Sequence, residues 1–261
     1  MLQKSELLEA IRPWAKPSEY DIQSLRFREA RDYGFVISKG SGYIIDDIVI
    51  SSGLEPSHMV REGDPIGFGE VLTRRDSFFT FTSTRDVEIL QIDADLIRDH
   101  VARSGFLARE IIRYHLSRIF DRKRPRPNAV FEDLLIASFD DRVGEIEYEA
   151  GDLIYEQAAF PTHFYFIETG QVGLYTGRDN EVAVLRATES FGEASLITST
   201  QRSLRAIALV PCVLRTLDAN FFKDRIALEH PLVQLSLLQL SRHLMFKNHC
   251  ELFLEGDGIH W

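Results

Sequence analysis

The residues best suited to chemistry lie in the run Phe191-Gly-Glu-Ala-Ser-Leu-Ile-Thr-Ser-Thr-Gln-Arg-Ser-Leu-Arg205. Gly192 permits close backbone approach to a ligand. A short helix opening just after it would aim free N–H groups at one point, which suits an anion. Glu193 can accept hydrogen bonds from a hydroxyl. Arg202 offers a planar fork of donors that matches a phosphate, and Ser203 adds a hydroxyl beside it. One carboxylate for a sugar, and one guanidinium with backbone amides for a single negative charge, would fit a cyclic phosphate on a ribose. The same spacing also allows a plainer arrangement, in which Glu193 is a charge at a helix N-terminus and Arg202 its surface mate.

Such a run needs a scaffold, and the pattern around it is mainly β with flanking helices. Residues 1–20 read as a short helix ended by Pro13 and Pro17. Short β-branched or aromatic runs follow at Phe35-Val-Ile-Ser, Tyr43-Ile-Ile, Ile48-Val-Ile, Phe78-Phe-Thr-Phe and Val87-Glu-Ile-Leu-Gln-Ile, punctuated by Gly40, Gly42, Gly53, Gly63 and Pro65. From Asp95 to Phe120 the apolar residues take a helical period. Asp121-Arg-Lys-Arg-Pro-Arg-Pro-Asn128 breaks that helix, because each proline disfavours helix at the residue before it. The order then repeats. A short helix from Phe131 precedes strands between Glu145 and Leu217, and a helical stretch runs from Phe221 to about Cys250. Phe68-Gly-Glu70 recurs as Phe191-Gly-Glu193, and Val87-Glu-Ile-Leu-Gln-Ile-Asp-Ala-Asp resembles Val213-Leu-Arg-Thr-Leu-Asp-Ala-Asn. We read an internal duplication: residues 1–120, a linker at 121–130, and residues 131–261.

Residues 131–250 resemble the cyclic nucleotide-binding domain family, which includes the bacterial catabolite activator protein and the regulatory subunits of cAMP-dependent protein kinase. The resemblance rests on Glu149-Ala-Gly-Asp-Leu-Ile-Tyr-Glu, on Phe164-Tyr-Phe-Ile-Glu-Thr-Gly-Gln-Val-Gly-Leu-Tyr with its turn at Gly170, and on the run from Phe191 to Ser203. It implies two jelly-roll-like β-rolls, each followed by helices. It also implies that Glu193 holds a ribose 2′-hydroxyl, that the Gly192 and Ala194 amides face the phosphate, and that Arg202 pairs with its charge. Ser203 would donate a further hydrogen bond, and Asn248, on the last helix, would reach the base. Two departures stand out: Gln157-Ala-Ala-Phe-Pro and Arg186-Ala-Thr-Glu-Ser lack glycines common in the family. In the first copy the loop after Phe68-Gly-Glu reads as shorter. Counting back from Asp93 puts Ser77 at the arginine's position, so that copy is expected to bind no nucleotide.

The expected function is therefore a receptor or adaptor for cAMP or cGMP that changes conformation and signals through a protein effector. The alternative is a ligand-free scaffold that uses the fold for protein–protein contact. The net charge of -10 argues against DNA, because phosphate backbones demand clustered Lys and Arg. The sequence shows no metal-ligand spacing, no catalytic motif, no apolar membrane span and no signal peptide. No enzyme activity, no cofactor and a cytoplasmic location are expected. The leucine-rich segment 232–245 allows a homodimer, although packing within the chain would explain it equally well.

Overall fold

The structure, a computed structural model, describes residues 3–20, 32–46, 57–76, 79–83, 86–121, 137–177 and 180–256, with side chains described as far as Asn248. The expected strand at Ile48–Ile50, the helix start at Phe131, Ser77 and the basic run at 122–126 lie outside these residues.

The chain opens with helix α1 (Lys4–Ile11) and a single 3-10 turn. Ala15–Pro17 then forms edge strand β1 rather than the end of a helix, pairing with Glu88–Asp93 (β7). A proline is tolerated there because an edge strand needs no inward N–H. The first half adds β2 (Tyr33–Lys39), β3 (Ser41–Asp46), β4 (Ser57–Arg61), β5 (Pro65–Ile66), helix α2 (Phe68–Thr73) and β6 (Phe79–Thr82). Its sheets run β1-β7-β2-β5 and β4-β3-β6. Helices α3 (Ala94–Ala102) and α4 (Phe106–Phe120) follow.

The second half comprises β8 (Val143–Tyr148), β9 (Leu153–Tyr155), β10 (His163–Thr169), β11 (Gln171–Thr176), β12 (Asn180–Arg186), β13 (Ser190–Phe191), helix α5 (Glu193–Thr198), β14 (Arg205–Ala208) and β15 (Cys212–Asp218). Its sheets run β13-β10-β15-β8 and β12-β11-β14-β9, all antiparallel. Phe164, Phe166 and Leu217 face the flanking helices, while Tyr165, Ile167, Leu214 and Phe191 fill the roll. This alternation is the period-two pattern of a strand buried on both faces. Gly170 has φ +97, and a Cβ there would lie 2.5 Å from Pro211 O. Only glycine makes this turn without displacing a neighbour.

The expected helical stretch from Phe221 to Cys250 is two helices, α6 (Ala219–Ala227) and α7 (Pro231–Gly256). The break falls before Pro231, which opens α7 because the first helical position needs no N–H. From Pro231 to Asn248 helix α7 is buried nearly all round. Leu232 and Leu235 pack in the first half's core with Phe68 and Ile97, and Phe246 joins Phe35 and Phe81. Val233, Leu237, Leu240 and Leu244 pack with Phe164, Phe166 and Phe222 of the second half. The leucine face that allowed a homodimer is thus used within the chain. Helix α4 makes the reciprocal contact, placing Leu107, Ile111 and Ile112 in the second half's core.

The two halves share local geometry, but in a register that differs from the Phe-Gly-Glu match. Helices α2 and α5 are both six residues long, follow a two-residue strand, and are preceded by a left-handed glycine, Gly67 (φ 79) and Gly192 (φ 87). Arg61 N donates to Asp64 Oδ2 as Arg186 N does to Glu189 Oε2. Thr73 Oγ1 donates to Gly69 O as Thr198 Oγ1 does to Ala194 O. Asp93 and Asp218 each cap the next helix with their carboxylates. One offset of 125 residues relates Gly67 to Gly192, Asp93 to Asp218 and the helix start Phe106 to Pro231. Glu193 therefore corresponds to Phe68, not Glu70. The number of residues from the start of α2 to Asp93 equals that from the start of α5 to Asp218, so by number Ser77 remains the counterpart of Arg202. Three chance identities suggested the other register; the backbone hydrogen bonds decide against it.

Cys212 is buried, and its thiol donates to the Gln171 and Val210 carbonyls. Burial raises its pKa above the ordinary thiol value. Native protein is expected to react with a thiol reagent at Cys212 far more slowly than protein in denaturant. Peptide mapping of the labelled chain checks this; equal rates would place the thiol at the surface.

Candidate nucleotide-binding site

Helix α5 is too short to persist alone. It is held by Leu196 and Ile197, both in the core. Gly192 leads into it, and a Cβ at that position would lie 2.8 Å from Arg202 Nη1. Arg202 is 3% exposed. Its Nη1 donates to Gly192 O at 2.5 Å and to Ser195 Oγ at 2.8 Å, and its Nη2 donates to His163 O at 2.5 Å. Its guanidinium carbon sits 4.3 Å from the Tyr155 ring centroid, within cation–π range. Burial pushes the Tyr155 hydroxyl well above the usual phenol range, against the opposing pull of Arg202. The ring is therefore a neutral wall for the cation. The surface ion pair that the spacing also allowed is not formed: both side chains are buried, and neither bonds the other.

Glu193 is 4% exposed. Its Oε1 lies 3.1 Å from His115 Nε2, and its Oε2 is buried with no partner among the described residues. His115 comes from α4, in the other half, and is fully buried.

A cavity of about 70 Å³ brings together Gly192, Glu193, Ala194, Arg202, Ser203 and Asn248. Leu174, Ala183 and Leu185 of the roll line its floor. Its roof is Tyr114 and Arg118 of α4 with Leu244 and Met245 of α7. All six residues singled out in the sequence thus share one cavity. Sequence reasoning missed Tyr114, His115, Arg118 and Tyr155. A signal for His115 existed: it lies four residues after Ile111 and four before Ile119, on the face those two bury. A larger cleft of about 510 Å³ between the halves shares Ser203, Leu204, Met245 and Asn248 with this cavity. There Asp64 binds Lys4 and Arg242.

The matching region of the first half is closed by the chain itself. Gly69, the counterpart of Ala194, donates its amide to Gln239 Oε1 of α7 at 2.9 Å. Gln239, Arg242, His243 and Phe246 leave a cavity of about 20 Å³. Burial pushes His243 down to about 3, with Lys247 adding to the effect, so it is neutral in the fold at ordinary pH.

Residues 145–228 match the model of the cyclic nucleotide-binding domain. This stretch is a cyclic nucleotide-binding domain. The domain has curated relatives of two kinds. A lysophospholipase NTE1 of Cryptococcus neoformans is 28% identical over 109 residues, which are 41% of this chain and 7% of that protein. The cAMP-dependent protein kinase regulatory subunit of Blastocladiella emersonii is 30% identical over 110 residues, 40% of this chain and 27% of that protein. The chain thus spans well under a third of the length of either. Among solved structures, the regulatory subunit of a cAMP-independent protein kinase A from Trypanosoma brucei aligns over 84% of this chain and 75% of its own, at 16% identity and a TM-score of 0.35. The cAMP-bound EAL enzyme Bd1971 aligns over 44% of this chain and 31% of its own, at 24% identity and a TM-score of 0.39. Among the described residues no helix is long and apolar enough to cross a membrane, and no group of three or more His, Cys, Asp or Glu could hold a metal ion.

Proposed function

We propose that the chain is a receptor for cAMP or cGMP that binds its ligand in the second half and acts on a protein effector without catalysing a reaction. The observation that carries this reading is the convergence of Gly192, Glu193, Ala194 and Arg202 on one cavity. Glu193 takes the ribose 2′-hydroxyl, Arg202 the cyclic phosphate, Ser203 a further hydrogen bond and Asn248 the base. Ser203 and Asn248 favour cAMP over cGMP. The regulatory-subunit relative makes a kinase catalytic subunit one class of effector, and a soluble, cytoplasmic setting fits the composition. Ligand pockets commonly measure about 300–1,000 Å³, so a cavity of about 70 Å³ is a closed state. Ligand would favour an open one through its higher affinity for it. The α7 part of the roof, Leu244 and Met245, is what must withdraw while α4 stays, and that withdrawal is the signal.

A second reading, a scaffold without ligand, draws on the same closure: both terminal nitrogens of Arg202 already donate to protein acceptors. Calorimetry of the native chain with cAMP and with cGMP separates the two. Saturable binding at one site per chain, tighter for cAMP, is expected. No heat at millimolar ligand would leave the scaffold.

A further inference from the structure

We propose that the first half completes the nucleotide site of the second: His115 is a positioning residue that holds Glu193 ready for the ribose. The inference rests on the reading of Glu193 and Arg202 as the ligand's partners. His115 Nε2 lies 3.1 Å from Glu193 Oε1, while Oε2 is buried with no partner among the described residues. A buried carboxylate with neither oxygen bound is costly and turns broadly about its last torsion. An N–H donated from Nε2 to Oε1 fixes that torsion and leaves Oε2 as the acceptor for the 2′-hydroxyl. Which ring nitrogen carries the proton follows from this role, because Nδ1 has no partner among the described residues.

Packing alone does not call for histidine at this position. Ile111 and Ile119 flank His115 on the same helix face, and all three are buried. An apolar side chain would fill that space without burying a ring nitrogen that lacks a partner. The internal repeat supplies the comparison. At the 125-residue offset Glu193 corresponds to Phe68 and His115 to Leu240, both fully buried. The half without the carboxylate also lacks the imidazole. Two positions far apart in the chain thus differ together, a polar pair in one place and an apolar pair in the other. Tyr114 and Arg118 of the same helix roof the cavity, so α4 belongs to the site rather than merely adjoining it.

The test is calorimetry of the full chain with cAMP and with 2′-deoxy-cAMP, which lacks the hydroxyl that Glu193 would bind. His115→Leu reproduces the residue of the other half, and His115→Met is a second non-donor should leucine fail to fold. His115→Gln keeps an N–H donor. The non-donor variants are expected to weaken cAMP about tenfold or more, as befits a bond to a charged group, and to leave 2′-deoxy-cAMP unchanged. His115→Gln should restore most of the loss. Equal losses for both ligands would make His115 a packing residue only. Unchanged or tighter cAMP binding would overturn the inference and make the imidazole inert or a competitor. A native chain that binds neither ligand brings down the receptor reading itself, a result seen before any variant is made.

Discussion

Arg202→Ala is expected to abolish measurable cyclic nucleotide binding, an affinity loss of about a hundredfold or more given the strength of charge-assisted, forked phosphate contacts. The guanidinium is the only cation among the cassette residues from Gly192 to Ser203, and its three acceptors all belong to the protein in the closed state. Binding must exchange some of these for phosphate oxygens, so the arginine serves two masters. Its removal also takes a donor from the carbonyls of Gly192 and His163, and the melting temperature should fall with the affinity. Arg202→Lys separates the two effects. Lysine keeps the charge but not the fork, so part of the binding should return while the triple contact does not. Calorimetry beside thermal unfolding reads both quantities. Full affinity in Arg202→Ala would remove the guanidinium from the site.

The second large effect concerns the whole molecule. Leu237→Ala is expected to cost about 2–5 kcal/mol, the usual range for emptying a leucine from a packed core. Leu237 is fully buried on α7, in the cluster that holds Phe164, Phe166 and Phe222. Two residues earlier on the same helix, Leu235 sits in the first half's core beside Phe68. Both halves are therefore expected to melt together in one transition, shifted as a unit by the substitution. Scanning calorimetry and circular dichroism against denaturant check this. Two separate transitions, only one of them moved, would show that the halves are thermodynamically independent.

Much of this molecule is written locally and could be read locally. Short alternating runs gave the strands, Gly170 the turn between β10 and β11, and the spacing from Gly192 to Arg202 the cassette, because each depends on neighbours in the chain. The duplication was visible for the same reason, in the matched strand ends before Asp93 and Asp218. Its register was not, because Phe68-Gly-Glu70 offers three identities where the true correspondence offers the left-handed Gly67. A positive φ leaves no mark in the sequence other than the glycine itself, and glycine occurs for other reasons. The break before Pro231 has a local signal in the proline itself, whereas the edge strand at Ala15–Pro17 depends on its tertiary partner β7. Hardest to foresee were the contacts between halves. Nothing near Glu193 in the sequence points to His115, and the leucines of α7 satisfy a dimer, a roll of their own or two rolls at once. Only the packed structure distinguishes these.

The exchange of helices has a practical consequence for anyone who would trim the protein. A fragment beginning at residue 131 would retain the whole matched family segment, yet it would lack the imidazole beside Glu193 and bare the greasy bed on which Leu107, Ile111 and Ile112 rest. Such a truncation would be sticky in solution and would report a crippled affinity. The smallest faithful specimen for the binding assays is the chain with both rolls attached.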